Sequence, residues 1–243
     1  YIVESVTSGL AVVDYDGDGY EDIYFPNGAP LPLGRKVDVQ PRHHLYRNLG
    51  GFRFEDATDK AGVGNTGYGL GACAGDYDGD GRPDIYVSNF GPNVLYHNNG
   101  DGTFTDVTAQ AGVARGDKVG AGVCFFDMDG DGNPDLFAAN YVKFSYESNP
   151  NRSVGGYLRV PSPLDFDAQP NALFRNNGDG TFTDVTLDSG VGRRAGTGMG
   201  IIACDCDNDG DTDVFVCNDV KGNFLFQNDG TGHFEEVALT AGV

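Results

Sequence analysis

The chain has 243 residues, 39% of them hydrophobic and 12% aromatic, which is enough for a packed interior in one large domain or two small ones. Sixteen basic against 36 acidic residues leave a formal charge of −20, which argues against nucleic acid and anionic membrane surfaces as partners. No stretch approaches the roughly 20 apolar residues of a transmembrane helix, and an opening on Tyr1, with neither an initiator Met nor a signal peptide, is expected of a processed or truncated product.

Residues 1–63 introduce a pattern that the rest of the chain repeats. A glycine-rich apolar run, GLAVV, leads into DYDGDGYED (Asp14–Asp22), and DIYFPN follows, ending on Asn27. After an insertion at about 26–44 come HLYRN, a glycine turn and FRFEDATDKAGV, closing on Val63. Residues 64–113 repeat the order with DYDGDGRPD (Asp76–Asp84), DIYVSN to Asn89, and NVLYHNNGDGTFTDVTAQAGV. Residues 114–191 do so with DMDGDGNPD (Asp127–Asp135), DLFAAN to Asn140, a second insertion at about 141–170, and NALFRNNGDGTFTDVTLDSGV. Residues 192–243 end the series with DCDNDGDTD (Asp205–Asp213), DVFVCN to Asn218, and NFLFQNDGTGHFEEVALTAGV. From the Leu of the second phrase (Leu45, Leu95, Leu173, Leu225) to its final Val is 18 residues in every copy.

Each unit holds four short aromatic and β-branched runs separated by Asn/Gly turns, and none holds a sustained helical period. A repeat of about fifty residues built this way predicts an all-β fold of four-stranded antiparallel propeller blades. Four blades close a small ring or form part of a larger one.

The four loops carry the chemistry. At least four carboxylates within nine residues repel one another, and without a counter-ion they bind protons or stay open. An oxygen-only donor set at this density selects a hard dication, with calcium fitting best. Positions 1, 3, 5 and 9 supply carboxylates: Asp14, Asp16, Asp18 and Asp22; Asp76, Asp78, Asp80 and Asp84; Asp127, Asp129, Asp131 and Asp135; Asp205, Asp207, Asp209 and Asp213. Position 7 (Tyr20, Arg82, Asn133, Asp211) offers a backbone carbonyl, since residue type varies there, and the glycine at position 6 permits the wrap. An EF-hand opens in the same way but closes on Glu at position 12 between helices. Here Asp closes at position 9 between strands. The expectation is about four calcium ions, one per loop, taking the net charge to about −12.

The five cysteines (Cys73, Cys124, Cys204, Cys206, Cys217) form no CxxC pair. Cys73 and Cys124 are expected to be buried apolar side chains, and a disulfide among the other three is left open. His43, His44, His97 and His233 are read as exposed loop residues. In the second insertion, Tyr141, Phe144, Tyr146, Tyr157 and Phe166 suit a contact surface, or else pack over their own blades.

DxDxDGxxD between two strands, in blades of this length, resembles the FG-GAP/VCBS repeats of integrin α-subunit propellers. The phrase LYxNNGDGTFTDVTxxAGV resembles bacterial relatives of the cartilage acidic protein family. The resemblance covers essentially the whole chain. It implies a calcium-stabilised β-propeller, often seven-bladed, on a secreted or cell-surface protein that commonly carries a further C-terminal domain. The second insertion resembles a family insertion that often carries a cysteine pair, which this chain lacks.

Calcium sites of the extracellular kind, working near 10⁻⁴–10⁻³ M, suit a secreted, periplasmic or cell-surface address. The function expected is non-enzymatic: a scaffold for protein–protein interaction or assembly, its insertions making contacts. The alternative is a glycan-binding module. A polysaccharide-active enzyme fits less well, since no Ser-His-Asp order or isolated carboxylate pair stands outside the loops.

Overall fold

The computed structural model describes residues 2–6, 8–30, 38–116, 118–147, 152–154, 156–159 and 161–243. The strands form in the predicted order. The first blade consists of β1 (Ala11–Val13), β2 (Asp22–Phe25), β3 (His44–Asn48) and β4 (Phe54–Asp56), the second of β5 (Tyr68–Gly75), β6 (Asp84–Phe90), β7 (Val94–Asn98) and β8 (Phe104–Asp106). The third blade starts with β9 (Gly120–Phe126) and β10 (Asp135–Asn140). Its insertion then contributes the hairpin β11 (Arg152–Val154) and β12 (Tyr157–Arg159), and the short β13 (Gln169–Pro170). β14 (Ala172–Asn176) and β15 (Phe182–Asp184) complete the blade, and β16 (Ala195–Gly196) pairs back with β13. The fourth blade is β17 (Gly198–Cys204), β18 (Asp213–Asn218), β19 (Phe224–Asn228) and β20 (Phe234–Glu236). Each blade is a four-stranded antiparallel sheet in simple meander order.

The blades stack face to face, β1 against β5, β5 against β9 and β9 against β17. Side chains alternate across each sheet. On β6, Ile85 and Val87 pack with Tyr15, Tyr24 and Leu45 of the first blade, while Tyr86 between them packs with Leu136 and Phe174 of the third. A strand covered on both faces reads as an unbroken apolar run, which is why DIYVSN and DLFAAN lack alternation. At the ends of the arc only one face is covered. Val12 and Phe25 of the first blade are exposed, as are Ile202 and Cys217 of the fourth.

The first strands approach one another closely. A Cβ on Gly71 of β5 would stand 2.1 Å from the Ala121 carbonyl oxygen of β9, and one on Gly122 would stand 2.6 Å from the Met199 oxygen of β17. The glycines before the acidic loops are therefore there for backbone contact between blades.

Some expectations change. The TxxAGV phrase forms a single α-helical turn in three blades: α1 (Thr58–Ala61), α2 (Thr108–Ala111) and α3 (Ala238–Ala241), each closed by a left-handed glycine. One turn is too short to carry a period. The preceding acid starts it: Asp56 and Asp106 accept from the backbone N–H of Thr58 and Thr108, both at 3.0 Å. His43 is not an exposed loop residue. It is fully buried, with Nδ1 3.0 Å from the Tyr24 hydroxyl and Nε2 3.3 Å from the Gly67 carbonyl, and burial pushes its pKa down to about 4. His44 is half-buried against Asp56, at 3.1 Å, and His233 is exposed.

All five cysteines are free thiols. Cys73 and Cys124, expected to be buried, are half-buried and pack against the cores between blades, where burial pushes the Cys124 thiol up to about 12 and Cys73 well above its ordinary value. Four of the five insertion aromatics pack inward. Tyr141 and Phe144 are buried with Val3, Leu70 and Val119, and Tyr146 and Phe166 pack against that cluster. Only Tyr157 of the five, at 82% exposed, stands free of the core. Part of the first insertion, 31–37, lies outside the described residues, as do 148–151, 155 and 160 of the second.

Candidate metal centres

Each acidic loop joins the first strand of its blade to the second. The closing aspartate is the first residue of that second strand, so it enters the sheet and is buried: Asp22, Asp84, Asp135 and Asp213 are at most 1% exposed. Two backbone N–H groups satisfy it. One comes from loop position 2: Tyr15 at 3.1 Å, Tyr77 at 3.2 Å, Met128 at 2.8 Å and Cys206 at 2.9 Å. The other comes from the Asn that ends the third strand: Asn48 at 2.7 Å, Asn98 and Asn176 at 2.8 Å, and Asn228 at 2.9 Å.

The opening aspartate shapes the turn. Asp14 and Asp76 each accept from the N–H of the position-6 glycine at 2.9 Å, as does Asp127, and Asp205 does so at 3.1 Å. Left-handed backbone at positions 4 and 6 makes this wrap possible. Gly17 and Gly19 have φ of 71° and 86°, and Asn208 takes position 4 of the fourth loop at 64°. Asp18, Asp80, Asp131 and Asp209 at position 5 receive the N–H of position 7, from Tyr20, Arg82, Asn133 and Asp211, at 2.8–3.0 Å. Those four residues thus have their backbone N–H groups turned to the loop.

The folding brings acids from opposite ends of each loop together. Oxygens of Asp76, Asp78 and Asp84 lie within 4.8 Å of one another, as do those of Asp127, Asp129 and Asp135, and of Asp205, Asp207 and Asp213. In the first loop the converging set is Asp14, Asp16 and Asp18, with Asp22 outside it. Asp131 and Asp209 fall outside the sets of their own loops. The electrostatic result is protonation pressure. Burial, with the nearby loop aspartates adding to it, pushes Asp22 up to about 6 and Asp84 and Asp135 up to about 7.

A further contributor is not announced by the loops. The fourth residue of each third strand reaches over the loop of its own blade. Arg47 places Nε 2.6 Å from Asp16 and Nη2 2.8 Å from Asp18. Arg175 places Nη2 2.7 Å from Asp129, and Gln227 donates to Asp207 at 2.5 Å. His97 sets Nδ1 3.0 Å from Asp78 and 3.4 Å from Asp84. The available signal was the letter immediately after the landmark Leu-aromatic pair (R, H, R, Q), variable in identity but polar and able to span the distance in every copy. The arginines do not complete the sites: Asp16 Oδ1 and Asp129 Oδ1 stay buried without a hydrogen-bond partner.

The same third strands tie neighbouring blades. The Asn98 side-chain amide donates to Tyr15 O in the first loop at 2.9 Å, Asn176 to Tyr77 O in the second at 2.7 Å, and Asn228 to Met128 O in the third at 2.8 Å. Each Asn also holds the buried aspartate of its own loop through its backbone N–H. A hydrogen-bonded line therefore runs through all four loops, from Asp22 to Asp213.

Four-stranded antiparallel blades, stacked on their flat faces and each carrying an acidic loop between first and second strands, define a repeat protein of the propeller-blade type. The model of the FG-GAP-like repeat matches residues 38–87, 76–138 and 164–216, and the chain belongs to that family. Among curated relatives, cartilage acidic protein 1 of Homo sapiens is 32% identical over 188 residues, 69% of this chain and 28% of the relative. The Xenopus tropicalis protein of the same name is 28% identical over 256 residues, 97% of this chain and 35% of its own length. The chain thus spans about a third or less of the relatives it matches. Among solved structures, an Agrocybe aegerita lectin that recognises non-reducing terminal N-acetylglucosamine aligns over 95% of this chain and 52% of its own, at 20% identity and a TM-score of 0.49. Among the described residues, no helix is long and apolar enough to cross a membrane.

Proposed function

We propose that this chain is a calcium-stabilised, non-enzymatic extracellular scaffold for protein–protein interaction or assembly, with one calcium ion per loop. The observation that carries the reading is the convergence of loop carboxylates in four copies, with Asp16 Oδ1 of the first loop and Asp129 Oδ1 of the third buried and without a hydrogen-bond partner. A cluster of that kind is stable only with positive charge at its centre. The donors are oxygens, which suits a hard dication. The ions would be held by Asp14, Asp16, Asp18, Asp22 and the Tyr20 carbonyl; by Asp76, Asp78, Asp80, Asp84 and the Arg82 carbonyl; by Asp127, Asp129, Asp131, Asp135 and the Asn133 carbonyl; and by Asp205, Asp207, Asp209, Asp213 and the Asp211 carbonyl. Bound calcium would supply charge neutralisation and nothing else.

The address follows from the ion. Loops of the extracellular class fill at 10⁻⁴–10⁻³ M calcium, so a fold dependent on several of them belongs in a secreted, periplasmic or cell-surface setting. Membership of the FG-GAP-like repeat family supports an interaction role. The test is calcium stoichiometry by equilibrium dialysis on chelator-stripped protein, beside its melting curve. About four ions per chain and a melting point raised by calcium support the proposal. Fewer than two ions, or a melting point indifferent to chelation, refutes it.

A further inference from the structure

We infer that the second loop is a mixed nitrogen–oxygen site that prefers a borderline divalent metal such as manganese, cobalt or zinc over calcium, with His97 as a direct ligand. The inference rests on the loops being cation sites and concerns which cation one of them selects. Four side chains occupy the same strand position above the four loops. Arg47 and Arg175 bring positive charge, and Gln227 brings an amide donor; His97 alone brings a nitrogen lone pair.

His97 Nδ1 stands 3.0 Å from Asp78 Oδ2 and 3.4 Å from Asp84 Oδ1; on a half-buried side chain this one atom is itself buried, and it makes no hydrogen bond. Atoms so close but not aimed at each other are the arrangement of ligands aimed at a common centre. Neighbouring ligands on an ion with bonds of about 2.1 Å lie about 3.0 Å apart in octahedral geometry and about 3.4 Å apart in tetrahedral geometry. Asp80, which is also ion-paired with the Arg82 guanidinium of the same loop, joins the cluster, its ligand atom within 4.8 Å of those of Asp78 and His97. Tyr77, itself buried, meets the imidazole edge-on, with ring centroids 6.4 Å apart at 85°, and so sets the ring plane. Imidazole beside carboxylates shifts preference from calcium toward manganese, cobalt and zinc. The other three loops, without imidazole, remain oxygen sites.

The experiment titrates cobalt(II) into the chelator-stripped full chain in excess calcium, following paramagnetically shifted imidazole proton signals and bound cobalt. One calcium-resistant cobalt per chain is expected. His97→Gln, which copies the residue found at Gln227, should weaken cobalt by at least about tenfold while leaving calcium stoichiometry at the other loops unchanged. Gln227→His should add a second cobalt site with its own shifted signal. Cobalt retained by His97→Gln, or displaced by calcium from the wild-type chain, overturns the inference. A single His97-dependent cobalt site in a chain that binds no calcium would sustain it while refuting the calcium scaffold.

Discussion

On the proposed function, calcium and protons compete for the same buried oxygens, and the competition can be sized. Without metal, the folded chain holds Asp84 and Asp135 at about 7 and Asp22 at about 6, against an ordinary 3.8. Between about pH 4 and 7 the metal-free native state keeps protons that the unfolded chain has released, so its stability falls as pH rises through that window. Calcium must expel those protons. Each pH unit below a site's pKa therefore weakens binding about tenfold, or about 1.4 kcal/mol. Near pH 5 the second and third loops should bind calcium about a hundredfold more weakly than near pH 8, and the first loop about tenfold more weakly. His43, pushed down to about 4 from 6.5, works the other way, costing stability as pH falls between those values. It does so with or without calcium and cancels in the difference. The assay is calorimetric melting with calcium and with chelator, at a series of pH values. The calcium-induced rise should be large near pH 8 and shrink toward pH 5. A rise as large at pH 5 as at pH 8 would refute the coupling of buried carboxylates to the ion.

Asn98→Ala removes the donor to Tyr15 O and Pro83 O, and should cost about 1–3 kcal/mol in urea unfolding; a change under about 0.5 kcal/mol would show that the tie between blades is idle. Gly71→Ala drives a methyl into the Ala121 carbonyl across the β5–β9 contact and should cost about 1–3 kcal/mol; a neutral result would mean the first strands are free to separate. In the second insertion, Phe144→Ala should lose about 3–5 kcal/mol and Tyr157→Ser less than about 0.5. Equal losses from the two would contradict the division between the packed part of the insertion and its exposed hairpin.

The acidic loops and the strand order were legible because both repeat. Four copies at fixed spacing separate signal from coincidence, and alternation or its absence marks which faces are covered. The residues above the loops were harder to read. Arg47, His97, Arg175 and Gln227 share a place in the sheet but not a chemistry, and only the pairing of second and third strands brings them to the carboxylates. His43 looked like loop because it sits at the end of the first insertion, yet its backbone N–H is bound to Asn65 O and its ring neighbours the Tyr24 hydroxyl. The insertion aromatics carry no period, so their inward packing depends on Leu70 and Val119, partners remote in sequence.

The line of hydrogen bonds through Asn98, Asn176 and Asn228 makes the four proposed ion sites a circuit in series. An ion settling in one loop fixes its buried aspartate, that aspartate fixes an asparagine, and the asparagine steadies the peptide at the mouth of the adjoining loop. Loading should accordingly be steeper than for four independent sites, and a breach at any asparagine should split the arc into segments that fill separately.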